Sequence, residues 1–174
     1  KWDRIYKGRF EVRGEVFMHA KDFEARNREQ KKKGLPLYAN PRNVSAGSVR
    51  QLNPKITASR TLDFFMYAVP TDIGLERHEQ EHELTALLGF PTNPENKHCK
   101  DAKEVAAYHD TWAKGREKLQ YWTDGIVVTI NQKKLWEQLG VVGKAPRYSI
   151  AFKFSPEEAT TILEGILVQV GRTG

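Results

Sequence analysis

Cysteine is nearly missing from this chain, since Cys99 is the only one among 174 residues. A single thiol excludes an internal disulfide and any zinc site built from cysteines alone. No apolar run approaches the roughly 18 residues that predict a membrane-spanning helix. The first ten residues, KWDRIYKGRF, contain no apolar signal-peptide core and no initiator Met. A reducing cytosol and a chain cut from a longer one are both compatible with these absences.

Several catalytic motifs are also missing. The sequence contains no G-x-x-x-x-G-K-[ST] phosphate-binding loop, no G-x-S-x-G and no H-E-x-x-H. Of the five histidines, only His78 and His82 have the i, i+4 spacing of a helical metal pair. They lie on a polar helix face, which we expect to be solvated rather than metal-bound.

Acidic residues are outnumbered by basic ones, 22 against 28, which gives a net charge of +6 and an isoelectric point near 9.4. Such a balance suits a polyanionic partner such as nucleic acid or a nucleotide phosphate, although on charge alone an ordinary soluble basic protein is the better explanation. Hydrophobic residues make up 39% and charged residues 29%, which is typical of a folded chain. The length suffices for one domain with a sizeable core.

The apolar pattern of the first half predicts two strands and a helix. EVRGEVFM (11–18) alternates and predicts a strand with a charged face. A polar helix is predicted over 20–34, and a loop with short helical turns over 35–60. LDFFMYAVP (62–70) is apolar on both faces and predicts a buried strand.

The second half continues this irregular alternation. RHEQEHELTALLGFP (77–91) predicts a helix with Leu84, Leu87 and Leu88 turned inward. No ordered βαβ repeat is present, which favours an α+β fold over a doubly wound sheet. The remaining predicted strands are DGIVVTI (124–130), YSIAFKF (148–154, with Ile150, Phe152 and Phe154 buried) and ILEGILVQVGRTG (162–174), with two helices before and between them.

Five charged residues could carry chemistry. Arg42 and Arg50 lie eight residues apart around NPRNVSAGSVR, where small residues would let a phosphate approach and arginine would bind it. Glu15 lies on the polar face of a strand, Asp124 precedes a strand, and Lys153 lies between two phenylalanines. Taken alone, Glu15, Arg42, Arg50 and Asp124 are better explained as solvated surface or turn residues, and Lys153 either snorkels or lies in a cleft.

Five segments together, in this order, resemble the adenylation domain of bacterial NAD-dependent DNA ligases. EVRGEVFM is similar to the family's third nucleotidyltransferase motif, and YANPRNVSAGSVRQLNPKITASRTLDFF is similar to its arginine loop. TDGIVVTIN resembles the fourth motif, GKAPRYSIAFKF with PEEATT the fifth, and QVGRTG the entry to an oligonucleotide-binding barrel. The resemblance implies a partial nucleotidyltransferase domain over 1–165, with antiparallel sheets flanked by helices, and the start of an OB-fold over 166–174.

The resemblance also implies an activity, which is nick sealing in duplex DNA during replication and repair. A lysine attacks the α-phosphate of NAD and releases nicotinamide mononucleotide. The AMP then moves to the 5′-phosphate of the nick, and the 3′-hydroxyl displaces it. Cationic side chains and Mg²⁺ would stabilise the charge that develops at each phosphate. A monomeric, cytoplasmic bacterial protein without membrane contact is implied, and Zn²⁺ would belong only to a module outside this chain.

Individual residues take family roles only through this resemblance. A catalytic role is implied for Arg42, Arg50, Arg116, Asp124 and Lys153. Asp124 would also hold the metal, Glu15, Thr129 and Lys153 would contact the nucleotide, and Arg42, Arg50 and Arg172 would contact DNA.

The chain departs from the family pattern at two points. The K-x-D-G segment that carries the nucleophilic lysine is missing, because the only Asp-Gly step is Asp124-Gly125 and Trp122 precedes it by two. Thr129 stands where the family usually has a lysine, so a hydroxyl remains but the charge and the reach are lost.

Three hypotheses therefore remain open at this point. The chain is part of a DNA ligase and is inactive alone, or it is a catalytically dead module that binds a nucleotide or nicked DNA. It could also be a relative of RNA-capping enzymes or RNA ligases, but the ANPRN…AGS…RQL loop favours the NAD-dependent DNA branch.

Overall fold

The computed structural model describes residues 8–156 and 160–171. Within these residues, helices alternate irregularly with short strands, as the α+β prediction requires. The elements are β1 (Arg13–Phe17), α1 (Ala20–Lys32), α2 (Pro41–Val49), α3 (Pro54–Ala58), β2 (Asp63–Ala68), α4 (His78–Leu87), α5 (Ala102–Gly115), β3 (Gly125–Thr129), α6 (Lys134–Leu139), β4 (Val141–Val142), β5 (Ala145–Pro146) and β6 (Ser149–Lys153). None of the described helices combines the length and the apolar character needed to cross a membrane.

The strands form three separate antiparallel pairs, β1 with β2, β3 with β6, and β4 with β5. In the first pair Gly14 lies opposite Met66 and next to a register shift. A Cβ at Gly14 would overlap the Phe64 ring and lie 2.5 Å from the carbonyl oxygen of Phe65. Only glycine therefore allows β1 and β2 to approach this closely.

A small apolar core lies between β1, α1 and α2. Met18, Phe23 and Val44 are buried together, and Tyr38 and Leu62 pack against them. Met18 follows β1, Phe23 lies on α1, and Val44 lies on α2, which rests on β1. The core is modest for the length of the chain, and large apolar side chains elsewhere are exposed.

The predicted loop over 35–60 contains two helices. Each begins at an Asn-Pro step, where the asparagine caps the helix and proline takes the first helical position. The Asn40 side chain accepts from the N–H of Asn43 at 2.8 Å, and the Asn53 side chain accepts from the N–H of Lys55 at 3.0 Å. The high content of Asn, Ser, Gly and Pro had favoured a loop, but these residues serve as helix starts.

The inward face predicted for the helix over 77–91 is wrong. Leu87 is 85% exposed and Leu88 is 39% exposed, whereas Glu81 and Thr85 are fully buried on α4. The buried carboxylate accepts a hydrogen bond from the N–H of Val69 at 3.0 Å, just after β2. Polar contacts, rather than the leucines, decide which side of α4 faces inward.

The β3–β6 pair is only partly covered. Phe154 is buried as predicted, but Ile150 is 68% exposed and Phe152 is 41% exposed, so the predicted buried face is wrong at those two positions. Among the described residues, α5 is the helix that packs most against this two-stranded sheet, and it covers only part of the sheet. His109 of α5 stacks on the Phe152 ring at 3.8 Å and leaves Ile150 open.

The last predicted strand, over 162–174, is not formed within 160–171. These residues have no strand partner among the described parts of the chain, and Leu167 and Val168 are more than 90% exposed. Without a neighbouring strand, the apolar pattern alone does not produce a sheet. The proposed boundary between 165 and 166 stays a prediction.

Candidate functional site

An ion pair joins the beginning of β3 to the end of β6. Lys153 Nζ lies 2.7 Å from Asp124 Oδ2, and both side chains are more than half exposed. The hydrogen bond from Lys153 holds the pKa of the Asp124 carboxyl below its usual value, and the charges of Lys153 and Arg42 act in the same direction. An ammonium and a carboxylate are therefore paired at an open surface, within the electrostatic influence of Arg42.

Gly125 explains the Asp-Gly step at the mouth of a strand. A Cβ at this position would lie 2.5 Å from the carbonyl oxygen of Phe152 and 2.8 Å from the Cα of Lys153. Glycine thus lets β6 pass directly against β3. The neighbouring Asp124 is fixed by its own carbonyl oxygen, which accepts from the N–H of Phe154 at 2.8 Å.

The backbone of Lys153 is supported from α5. The His109 Nε2 atom lies 3.0 Å from the carbonyl oxygen of Lys153. The same ring stacks on Phe152 with an angle of 12° between the planes. This histidine was not singled out from the sequence, because nothing in its local pattern relates it to a strand 44 positions away.

Arg42 and Arg50 lie at opposite ends of α2. Arg42 is in the first turn and Arg50 caps the C-terminal end. Eight helical residues correspond to about 12 Å along the axis. The structure brings Arg42 close enough to Asp124 for its charge to lower the pKa of that carboxyl, whereas Arg50 lies farther along the helix and is exposed.

The small residues between these arginines divide into two groups. Ser45 and Ser48 face the core, where their hydroxyls donate to the carbonyl oxygens of Pro41 at 2.9 Å and Val44 at 2.6 Å. They therefore provide close packing of α2, which differs from the role in phosphate approach predicted for the whole stretch. Only the exposed small residues, such as Gly47, remain open to a ligand.

Glu15 is exposed on β1, opposite Phe65. By alternation its face also carries Phe17, whose ring lies 4.6 Å from Phe65 and 5.3 Å from Tyr121. Tyr67 of β2 lies opposite the register shift between Arg13 and Gly14 and is 49% exposed. Sequence reasoning missed Tyr67, although a tyrosine inside an apolar run indicates a ring with one polar, accessible end.

Two more predicted residues lie on or beside the β3–β6 pair. Arg116 begins a 3-10 turn, and its guanidinium carbon is 5.8 Å from the centre of the Phe154 ring. The Thr129 Oγ1 atom is 3.0 Å from the Oγ of Ser149 on the opposing strand. The hydroxyl of Thr129 is therefore engaged within the sheet. Arg172 lies outside the described residues.

The prediction that His78 and His82 are solvated is wrong, because both are half-buried. Their Nε2 atoms are 3.3 Å apart, and His78 Nδ1 lies 3.3 Å from Glu81 Oε2. Burial lowers the pKa of His82 below its usual value. Lys133 Nζ completes this network 2.7 Å from Glu81 Oε1. No three His, Cys, Asp or Glu side chains in residues 8–156 and 160–171 form a group that could hold a metal ion.

A family profile described as the NAD-dependent DNA ligase adenylation domain matches residues 3–157. This chain belongs to that family. DNA ligases of Thermotoga neapolitana, Koribacter versatilis and Brevibacillus brevis are 43%, 44% and 46% identical to it. The matches cover 94%, 96% and 94% of this chain but 24%, 25% and 25% of the three relatives. The adenylation-domain chain thus spans about a quarter of the length of these ligases.

We expect the Asp124 carboxyl of this adenylation-domain chain to titrate below 3.8, its ordinary value, because Lys153 donates to its charged form. Replacing Lys153 with methionine should raise that pKa towards the ordinary value. Carboxyl chemical shifts, followed by NMR from neutral to acidic pH, give the Asp124 pKa in the unaltered chain and in the variant. The internal control is Asp72, an exposed aspartate that does not pair with Lys153. An unchanged Asp124 titration in the variant would contradict the assigned pairing.

Proposed function

We propose that this chain is the adenylation-domain part of an NAD-dependent DNA ligase that seals nicks in duplex DNA. The observation that carries the proposal is the open Asp124–Lys153 pair with Arg42 beside it, in a chain whose family is established. The proposed setting is replication and repair in a bacterial cytoplasm, where NAD and chromosomal DNA occur together. The ligase is proposed to act as a monomer.

The positively charged side chains would act on phosphate. Phosphoryl transfer depends mostly on positioning and on stabilising the charge of the transferred group. Lys153 would approach the AMP phosphate from the end of β6, where His109 holds its backbone. Arg42 would neutralise the same region from α2, and Arg116 would do so from the turn beside Phe154. Arg50 and Arg172 would contact the DNA backbone.

The face of β1 and β2 would receive the nucleoside. Glu15 offers an exposed acceptor, and the half-exposed Tyr67 ring offers a surface on which a base can stack. Thr129 lies at the end of β3 that is farther from Asp124. It would contact the nucleotide only if its hydroxyl gave up the hydrogen bond to Ser149 and bonded to the ligand instead. This arrangement supports nucleotide binding by the side chains of two separate strand pairs.

Magnesium fits the site only as an ion shared with the substrate. Mg²⁺ usually binds one or two carboxylates together with substrate phosphates and water. Asp124 supplies one exposed carboxylate, which is paired with the Lys153 ammonium. A bound phosphate would compete for that ammonium and free the carboxylate for the ion. Bound Mg²⁺ would supply charge neutralisation at the phosphates, and Asp124 is the residue proposed to hold it.

In the proposed ligase the nucleophilic lysine would lie outside these 174 residues, because no K-x-D-G occurs in them. We therefore expect the 174-residue chain, incubated with NAD and Mg²⁺, to form no covalent AMP adduct by intact-mass measurement. In the same experiment, a chimera is made in which these residues replace the 166 matched residues of the Thermotoga neapolitana ligase. We expect the chimera to form lysyl-AMP and to seal a nicked duplex.

The chimera also separates the proposal from its alternatives. A correctly folded chimera that binds nicked DNA without forming lysyl-AMP would favour a catalytically dead binding module. Sealing of nicked RNA in preference to nicked DNA would favour the RNA-ligase branch. A lysine-linked AMP on the isolated chain would overturn the statement about the nucleophile.

A further inference from the structure

A groove of about 200 Å³ lies beside α2. Asn43, Val44, Gly47 and Ser48 of α2 line it, and Gln51 lines it just after the helix ends. Tyr38, Ala39 and Arg60 complete the lining. None of Asp124, Lys153 or Glu15 lines this groove, so it is a separate place from the proposed reaction site.

Gly47 is not required by the fold. It lies inside the nine-residue helix α2 with helical geometry, and a Cβ added to it would meet no atom within 4 Å. Glycine in a helix interior costs roughly 0.5–1 kcal/mol relative to alanine. The missing side chain leaves the groove open, which points to a ligand that approaches the helix backbone closely.

The groove lining includes an unsatisfied positive charge. Arg60 is half-buried, and its guanidinium has no hydrogen bond or ion pair with any residue in the described parts of the chain. Arg26 lies next to it, since its Nη2 donates to the carbonyl oxygen of Ser59 at 2.8 Å. No carboxylate lines the groove. A partly desolvated guanidinium without an acceptor favours an anionic ligand that supplies one.

We propose that this groove binds one phosphodiester group of a DNA strand, with Arg60 as its cation. Asn43 adds an amide group, and Gly47 gives room for the sugar next to the phosphate. The Gln51 amide already donates to the carbonyl oxygen of Gly47 at 2.9 Å. Because Arg42 and Arg50 lie at the two ends of the same helix, a strand that follows α2 would meet positive charge at successive phosphates. This assignment rests on the proposed function as a DNA ligase. It adds a DNA contact that the reaction itself does not require.

The decisive variant is Gly47→Leu in the full chain. Leucine is a strong helix former, so we expect no loss of thermal stability, but its side chain would fill the groove. Binding to a nicked duplex at low salt, measured by fluorescence anisotropy, should weaken by about tenfold or more. Ala46→Leu is the matched control, because Ala46 is the adjacent exposed residue of α2 and does not line the groove. Equal affinity of the two variants would overturn the proposal.

A second variant tests the charge. Arg60→Gln should reduce the slope of log K against log [salt] by about 0.9, the value for one phosphate contact. Arg28→Gln removes the same charge from α1, outside the groove, and should change the slope less. An identical slope for both variants would show that Arg60 contributes only general charge.

Three further outcomes test this inference separately from the proposed function. A shift of the Gly47 amide NMR signal with NAD or inorganic phosphate, but not with nicked duplex, would assign the groove to a small phosphate ligand and overturn it. If Arg42→Ala weakens DNA binding while Gly47→Leu and Arg60→Gln do not, the groove assignment fails although the ligase proposal stands. If the chimera fails to seal nicks while both groove variants weaken DNA binding, the proposed function fails and the groove assignment stands.

Discussion

Replacement of Glu81 with alanine is expected to lower the free energy of unfolding by about 3–5 kcal/mol, the cost of removing one partner from a buried ion pair. Glu81 is fully buried, and it accepts from the backbone of Val69 and pairs with Lys133 at 2.7 Å. Without the carboxylate, the Lys133 ammonium and the Val69 N–H lose their acceptor. This change should therefore detach α4 from β2 and from the segment after β3.

Urea unfolding followed by tryptophan fluorescence measures the effect. Trp136 is a suitable reporter, since its ring stacks on Tyr148 and lies 5.5 Å from His78. Glu83→Ala is the matched control, because Glu83 is an exposed glutamate on the same helix, and it should change stability by no more than about 0.5 kcal/mol. Similar losses in both variants would show that the buried network contributes little.

The same network predicts how stability depends on pH. Burial by itself would raise the pKa of Glu81, but the hydrogen bonds from His78, Lys133 and Val69 outweigh it, and the pKa is lowered from 4.5. A carboxyl with a lowered folded pKa stabilises the protein above 4.5 and loses this contribution as the pH falls through the folded pKa. Burial lowers the pKa of His82 from 6.5, so its protonation favours unfolding as the pH falls below that value. Glu81→Gln should flatten the acid part of the profile, below pH 4.5.

Replacement of Lys153 with methionine in the ligase chimera should slow lysyl-AMP formation by about 10²–10³-fold, the usual cost of losing one preorganised electrostatic contact in a transition state. Methionine keeps the length and the apolar stem but cannot donate to a phosphate or to Asp124. Since Lys153 is more than half exposed, the fold should be retained. Single-turnover formation of the adduct from NAD isolates this step from nick binding.

Lys144→Met is the control for the charge itself. Lys144 is exposed between β4 and β5, next to the positive-φ residue Gly143, and its replacement should leave the rate of adduct formation nearly unchanged. A similar loss of rate in both variants would indicate a general effect of net charge. An unchanged rate in Lys153→Met would remove Lys153 from the proposed chemistry.

Local patterns in the sequence were sufficient for several elements. The alternation around Glu15 predicted β1, the apolar run after Asp124 predicted β3, and the ordered motifs predicted the family that the comparison established. These features depend on neighbours within a few positions, which is why they can be read without a structure. The Asn-Pro helix starts of α2 and α3 were equally local, but their composition was interpreted as loop.

Long-range contacts could not be predicted in this way. The sequence by itself determined which residue types are present, their order and their local periodicity, and with these the α+β class and the ligase resemblance. Only the tertiary structure decided that Glu81 rather than Leu87 faces inward, that Asp124 pairs with Lys153, and that Arg60 and Gly47 line one groove. The physical reason is that burial and ion pairing depend on partners 13 to 52 positions away, whose placement follows from packing and not from the local pattern.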